Sequence, residues 1–470
     1  MDRRTPLKPG DTAVVLGAGL AGLSAADILS SRGIKVVVLE KSPFTGGLAA
    51  TRRDGGFHFD YGPHRFHTTN KAILERVRNL VGGDLLELDR LSRIRLLDRY
   101  FVYPLNLGDV LSRMPLHRGA AMMASYAAAR LRVASGGARD DSFESWVVNR
   151  FGRALYDVYF GPYTAKLWGI APDRLSPDWA SQRITVPGLG GLVKETLFPH
   201  KEKVRSLVSL FHYPRGGIGR IAEALAARIV SAGGTILTET EPESISRSGA
   251  GFSIGTRGGS IEASGIVNTI PVTEYAALLG DMLPGAVLEA SRSLRFRAIV
   301  FQVLRVARRP DARDHWIYTP ESHYGFNRLS IPENFDPGVS ESGAQVVFEY
   351  TCDAEPGDPV WSGSQGLAEE CGAGGVRLGL FQPGEVLGAV PARQTHAYPV
   401  YTHGYAEASG ALLDALSNLP GSVTCGRQGL FRYNNMDHSI EMGEYAALEL
   451  LGEGSVKERF DWSADTWADG

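Results

Sequence analysis

Cysteine is nearly absent. Cys352, Cys371 and Cys425 are the only three in 470 residues. An odd number at wide spacing supports neither a disulfide framework nor a zinc site, so a reducing cytoplasm is the expected home. Also missing is any uninterrupted apolar run of about 18 residues, which excludes a membrane-spanning helix. The first residues run from Met-Asp-Arg-Arg-Thr-Pro straight into a Val-rich strand, without an apolar leader and cleavage site, so secretion is not expected. No charge sign dominates. With 49 Lys and Arg against 52 Asp and Glu, the formal net charge of −3 creates no field that would draw the chain to nucleic acid. Internal repeats, long low-complexity tracts, a credible Ser-His-Asp order and interpretable carboxylate pairs are all lacking, which leaves little support for a hydrolase.

What is present begins with a nucleotide fold. The length predicts two or three structural units. Thr12 to Leu16 reads as a short apolar strand ending in Gly17-Ala18-Gly19-Leu20-Ala21-Gly22, followed by an Ala- and Leu-rich helix to about Ser31. In this strand-turn-helix order Gly17 permits the tight turn, Gly19 lets the backbone approach a pyrophosphate, and Gly22 lets the helix pack closely. A second strand, Lys35 to Leu39, ends in Glu40, at the offset where a carboxylate meets a ribose hydroxyl. Glu40-Lys41 is followed by Gly46-Gly47-Leu48 and then by Asp60-Tyr61-Gly62-Pro63-His64. Similar glycine pairs extend the cradle along FAD in flavoproteins of the glutathione-reductase-like superfamily, and that resemblance implies FAD.

The far end supplies a second candidate anion site: Gly426-Arg427-Gln428-Gly429, Tyr433 to Asp437 with Asn435 and Met436, then a helix from Ser439 to Leu451. Such a turn can present amides to a pyrophosphate or to a flavin oxygen, or it is simply a polar loop before a closing helix. Between the ends, Phe211 to Ile245 repeats the sheet-and-helix pattern, with a helix from Arg220 to Ala232 and a strand from Thr235 to Leu237. Phe252 to Thr256 and Ser260 to Ala263 read as a hairpin before the strand Ser264 to Ile270. The expected fold class is therefore α/β: a glutathione-reductase-like Rossmann FAD domain, discontinuous over 1–84, 209–284 and 406–455, with a mixed α+β substrate domain over 85–208 and 285–405 and a tail over 456–470. An Ala- and Met-rich helix from His117 to Arg132 is expected to cover the substrate pocket rather than lie on a membrane. Cys352 to Gly375, crowded with Gly, Asp, Glu and Ser, is expected to be a surface excursion.

Together these segments resemble the flavoenzyme group that contains UDP-galactopyranose mutase and protoporphyrinogen-oxidase-like or amine-oxidase-like proteins. The resemblance covers most of the chain. It is carried by GPHRFHT (Gly62 to Thr68), YPLNL (Tyr103 to Leu107), PYTAKLWG (Pro162 to Gly169), YPRGGIG (Tyr213 to Gly219) and GRQGLFRYNNMD (Gly426 to Asp437). It implies His64 near the flavin, Tyr163 and Trp168 beside a uracil, and Arg427 and Tyr433 at the cofactor and diphosphate. In the mutases reduced flavin attacks the anomeric carbon, the nucleoside diphosphate leaves, and the sugar ring opens and recloses without net oxidation. Phosphate arginines are needed for that, and Arg297 falls where one is expected. For the second, the mutase Arg-x-Pro-Val-Arg segment reads Gln182-Arg183-Ile184-Thr185-Val186-Pro187 here, keeping only Arg183. The DWASQR segment, Asp178 to Arg183, is shared with a related group of FAD-dependent oxidoreductases.

Several residues carry two readings. His58, His64 and His67 sit in a strand and turn, which argues against a metal set, and no metal is expected. His64 is a general acid or base, a redox tuner, or a shaper of the pocket. Trp168 is a base platform or a core aromatic. Tyr398, Tyr401 and Tyr405 line the pocket, or alternation turns some of them into a core. The expected substrate is a small molecule, a nucleoside-diphosphate sugar, rearranged through reduced FAD with NAD(P)H or another reductant as candidate donor. The alternative is an oxidoreductase taking a hydride from a C–N, C–O or C–C unit, and a third class is a flavin binder without catalysis.

Overall fold

The computed structural model describes residues 5–104, 113–184, 210–363 and 366–460, with the side chains of Gln182 and Arg183 left undescribed. Leu105 to Leu107 of the YPLNL motif, Thr185 to Pro187, and Trp462 and Trp467 of the tail thus lie outside the described residues. Tail residues Val456 and Phe460 are buried in the core beside the parallel sheet.

Five parallel strands drawn from along the chain form one sheet, in the spatial order 422–424, 265–268, 12–16, 35–39, 235–237. The strand Thr12–Leu16 is central and almost wholly buried, as its TAVVL sequence requires of a strand covered on both faces. After it the chain crosses to Lys35–Leu39 on one side, while Gly265–Asn268 lies on the other. The carboxyl ends of the first strand and of Gly265–Asn268 therefore flank a topological switch point, where such sheets bind ligands. The helix Leu20–Ser31 packs on this sheet together with Arg220–Ser231 and Met436–Leu450, and Leu23, Ala25, Ala26 and Leu29 are fully buried. The helix Met436–Leu450 begins earlier than the expected Ser439, because Asn435 and His438 cap it reciprocally. The predicted hairpin is present as Gly251–Thr256 with Gly259–Ala263, in a three-stranded antiparallel sheet with Ser244–Ser248.

A seven-stranded sheet lies across the cavity from the parallel one, ordered 386–400, 295–306, 344–352, 328–330, 316–318, 92–96, 99–102. Its central strand Arg295–Val306 shows strict alternation: Ile299, Phe301 and Val303 enter one core with Trp168 and Tyr398, whereas Ala298, Val300 and Leu304 enter another. That second core corrects the expected surface excursion at Cys352 to Gly375. The segment contains the helix Leu367–Arg377, which buries Leu367 and Cys371 against the sheet. Gly374 and Gly375 allow this approach, since a Cβ at either would collide with Phe326 or Phe381. Glycine that reads as loop is here close helix–sheet packing.

Candidate functional site

The nucleotide end is built from backbone. Gly17 follows the first strand at φ +95°, and a Cβ there would stand 2.6 Å from Thr269 Oγ1. Gly22 has no room for a side chain because its Cβ would strike the Gly17 carbonyl oxygen, so it sets the helix on the turn. Gly19 differs: it caps the helix Leu20–Ser31, and a Cβ there would meet no protein atom within 4 Å, because the position faces open cavity. The helix has neither a side-chain cap nor an acid in its first turn, leaving its first amides for an anion. Gly46, at φ +108°, bonds through its N–H to the Ala18 carbonyl, which draws the Gly46-Gly47-Leu48 turn alongside Gly19. Glu40 is buried and accepts from the Ala18 and Ser42 amides, both at 2.8 Å. Lys41, near Glu274, completes this end.

From here one cavity of about 1920 Å³ runs to the seven-stranded sheet. Sites for single small ligands are usually about 300–1,000 Å³. This cavity therefore has room for a dinucleotide and a substrate together. The open position at Gly19, the uncapped helix and the acid at the strand end fit FAD. His64, Tyr433, Asn435 and Met436 line its middle.

The GPHRFHT turn is tied down from both sides. Asp60 accepts from Tyr213 Oη (2.7 Å), Thr51 Oγ1 and the Ile218 amide, joining the turn to the YPRGGIG segment. Burial outweighs these bonds and pushes the Asp60 carboxyl up to about 6. Gly62, at φ +94°, does not line the cavity but abuts Glu349 and Phe301. Burial, with Arg328 and then Arg427 nearby, pushes the His64 imidazole down to about 3, so the ring is neutral. Its Nδ1 is buried without a protein partner. Burial, and then Lys41, likewise pushes His396, on the wall nearer the nucleotide end, down to about 4.

At the sheet end, cross-strand register places Glu349 opposite both Phe301 and Arg328. Arg328 Nε donates to Glu349 Oε2 at 2.7 Å, and this buried pair borders the cavity. Tyr163 lies edge-on to Tyr318, with centroids 5.8 Å apart, and Tyr318 in turn packs on Tyr103 at 4.6 Å. Lys166, on the helix Gly161–Trp168 that carries Tyr163, donates to the carbonyls of Thr319, Glu321 and Tyr324 at 2.7–2.8 Å, locking that helix to the sheet. The helix Leu116–Ala134 covers this end, as expected, through Met122, Met123, Tyr126 and Arg130.

Besides the glycines Gly22 and Gly62, three expected site residues do not reach the cavity wall. Trp168 is 1% exposed and packs edge-on behind Trp179 and Tyr398, which makes it a core aromatic. Tyr401 is also core, stacked on Tyr405, and its hydroxyl accepts from the Tyr433 amide. Arg297 is not among the residues lining the cavity; it lies where the neighbouring strand bulges, running from Gln394 to Tyr398 against Ile299 to Arg297. Its Nη1 donates to Asp353 at 2.6 Å, and the guanidinium covers Gly169. Arg183 ends the helix Asp178–Arg183, with its side chain outside the described residues. Arg427 does line the cavity, but its nitrogens donate to the carbonyls of Ala397 and Asn434, 2.9–3.1 Å away, beneath the Tyr433 ring.

Residues without an assignment take the vacated places. Trp179, inside the DWASQR segment, lines the cavity and meets Tyr433 edge-on. Arg65, Arg90, Arg130, Arg150 and Arg328 also line it. Tyr103 was legible within YPLNL and Trp179 within DWASQR, whereas nothing local marks Arg328. Of the three histidines weighed as a metal set, His64 and His67 line the cavity and His58 sits in the strand Phe57–Asp60. Among the described residues no cluster of His, Cys, Asp and Glu could hold a metal, and no helix is long and apolar enough to cross a membrane.

Comparison with known proteins agrees with this architecture. A solved structure of reduced UDP-galactopyranose mutase superposes with a TM-score of 0.84, covering 98% of both chains at 20% identity. Cyclohexylamine oxidase from Brevibacterium oxydans superposes at 0.68, covering 95% of this chain and 99% of its own, at 15% identity. In sequence, the chain is 26% identical over 170 residues to a protein named "Probable UDP-galactopyranose mutase" from Klebsiella pneumoniae, a match spanning 34% of this chain and 42% of that one. The matched stretch is thus less than half of that relative's length. The family described as flavin containing amine oxidoreductase matches residues 20–356. The chain belongs to this flavin-containing amine oxidoreductase family, and its cofactor is FAD.

Proposed function

We propose that this enzyme acts on a nucleoside-diphosphate sugar and rearranges it with reduced flavin, without net oxidation. The observation that carries the reading is the charge of the cavity beyond the flavin cradle. Arg65, Arg90, Arg130, Arg150 and Arg328 line it beside Tyr103, Tyr163, Tyr318 and Trp179. Arg150 and Arg328 are paired with Asp140 and Glu349, yet a protonated amine would still meet more guanidiniums than carboxylates here, whereas a diphosphate meets groups suited to paired N–H···O bonds and a base meets aromatic faces. Within the family this favours an anionic substrate over an amine.

When bound, reduced FAD supplies a nucleophile for the sugar carbon that carries the diphosphate. The chain's own residues do the rest. Arginines hold the departing diphosphate and offset its charge. Neutral His64 offers its unpartnered Nδ1 to the flavin side of the cavity without adding a cation there. Tyr398 and Tyr433, stacked 5.9 Å apart, exclude water from the wall between flavin and substrate. In this reading 1–84, 209–284 and 406–455 form the cofactor domain, 85–208 and 285–405 the substrate domain, and 456–470 a tail. NAD(P)H or another reductant supplies electrons. Three buried free thiols match a reducing cytoplasm.

The test is an anaerobic titration of the holoenzyme with UDP and UDP-sugars in oxidised and dithionite-reduced states, following the flavin spectrum and the sugar products. A sugar isomer formed only with reduced flavin is the expected result. Turnover that consumes oxygen or another acceptor, without isomerisation, overturns the reading in favour of a dehydrogenase or oxidase.

A further inference from the structure

Of the arginines expected from the mutase resemblance, Arg297 is committed to Asp353 and is not among the residues lining the cavity. A different pair lines it. Phe66 exchanges backbone hydrogen bonds with His212 at 2.9 and 2.7 Å and is fully buried. Alternation along this extended bridge turns its neighbours Arg65 and His67 the other way, and both line the cavity. Arg90 arrives from the turn between the strands Leu85–Asp89 and Ser92–Leu96. It donates to the Tyr103 carbonyl at 3.3 Å and stands 5.9 Å from the Tyr103 ring centroid. Tyr103 and Tyr318 then lead along the wall to Tyr163 and Arg328.

Two guanidiniums act on each other in this corner. Burial, and then Arg65, hold the Arg90 guanidinium below its ordinary value, with two phenols, Tyr103 and Tyr318, as the opposing groups. His67 Nδ1 lies 3.2 Å from the Leu210 carbonyl oxygen, to which it donates in the matching tautomer. It is depressed by burial and then by Arg65, with Arg90 adding to the effect and Asp437 opposing it. Among the described residues Arg90 makes no ion pair. Two guanidiniums fixed side by side in a partly desolvated wall are stabilised by an anion that bridges them.

We propose that Arg65 and Arg90 form the phosphoryl-binding subsite of the cavity, flanked by Tyr103 and Tyr318, in place of a clamp on Arg297. The identity of the ligand rests on the nucleotide-sugar reading above; the presence of an anion subsite does not.

The experiment titrates holoenzyme with inorganic pyrophosphate, UDP and uridine, following the flavin difference spectrum, for the wild type, Arg65→Ala, Arg90→Ala and Arg297→Lys. Pyrophosphate and UDP should weaken roughly tenfold to hundredfold in each alanine variant, uridine should not, and millimolar guanidinium should restore part of the loss in Arg90→Ala. Arg297→Lys should bind all three as the wild type does. Should Arg90→Ala lose flavin, Arg90→Lys and Arg65→Gln carry the same comparison. UDP binding unchanged by both alanine substitutions overturns the subsite and leaves the nucleotide-sugar reading standing. Pyrophosphate bound through the two arginines, with no affinity for UDP, upholds the subsite and overturns the nucleotide as ligand. Wild-type protein that binds neither overturns both.

Discussion

At its nucleotide end the cavity is walled by backbone, and at its sheet end by side chains. The first wall is Gly17, Gly19, Gly46 and Gly47, close in sequence and stacked by one strand-turn-helix unit. The second gathers Arg65, Arg90, Tyr163, Trp179, Arg328 and Tyr398 from stretches remote in the chain. The charges differ as well: Glu40, Glu241, Glu243 and Glu274 line the nucleotide end, whereas arginines line the other. A site made of amides and glycines depends on few side-chain identities, so it survives divergence. A site made of side chains is redrawn when one of them takes another partner, as Arg297 does with Asp353.

The sharpest way to break this contrast is to fill the glycines. Gly19→Val and Gly22→Val should both abolish flavin content, read from the ratio of visible to ultraviolet absorbance. Only Gly22→Val should also lower the melting temperature of the apoprotein, because its Cβ strikes the Gly17 carbonyl while the Gly19 Cβ meets nothing. Full flavin content in Gly19→Val would mean that the pyrophosphate does not pass over this turn.

Next in size is the buried pair at the sheet end. Arg328→Met leaves Glu349 uncompensated and should cost about 3–5 kcal/mol in denaturant unfolding. Adding Glu349→Gln should recover most of it. A double variant no more stable than the single one would show that the pair's neighbours, not the stranded charge, set the cost.

The two tryptophans separate packing from binding. Trp168→Phe should lose about 1–3 kcal/mol of stability with UDP affinity unchanged, since the ring is core. Trp179→Phe should lose less stability but weaken UDP several-fold, as expected of a ring on the cavity wall. An inverted pattern would return Trp168 to the site.

The smallest effect is electrostatic. His64 and His396 titrate near 6.5 when unfolded but only near 3 and 4 when folded. Their contribution is fully present above pH 6.5 and is lost as pH falls through those folded values. Asp60 acts oppositely, its contribution being lost as pH rises from 3.8 through 6. The melting temperature of His64→Gln/His396→Gln should therefore fall less between pH 6.5 and 4 than that of the wild type. Parallel profiles would show that these rings are solvated.

Much of the parallel sheet was legible because its signals are local. Strand Thr12–Leu16, helix Leu20–Ser31 and strand Lys35–Leu39 follow from apolar runs and glycine spacing read over a few residues. The helix Leu116–Ala134 was also legible, since its apolar stripe needed a cavity to cover. Trp168 was ambiguous because an aromatic beside a motif carries no record of which side faces solvent. The helix at Leu367–Arg377 was hidden because glycine signals loops and close packing alike.

The sequence by itself determined that a dinucleotide would be held at the end of the first strand, because hydrogen-bond geometry and the absence of a Cβ act over short distances. Only the tertiary structure decided which arginines face the substrate. Arg297 and Arg328 both sit on strands of one sheet, yet Asp353, just beyond the Ala298–Cys352 pair, takes the first, and cross-strand pairing with Glu349 holds the second at the cavity. Strand register is a property of partners remote in the chain, so it cannot be read from either strand alone.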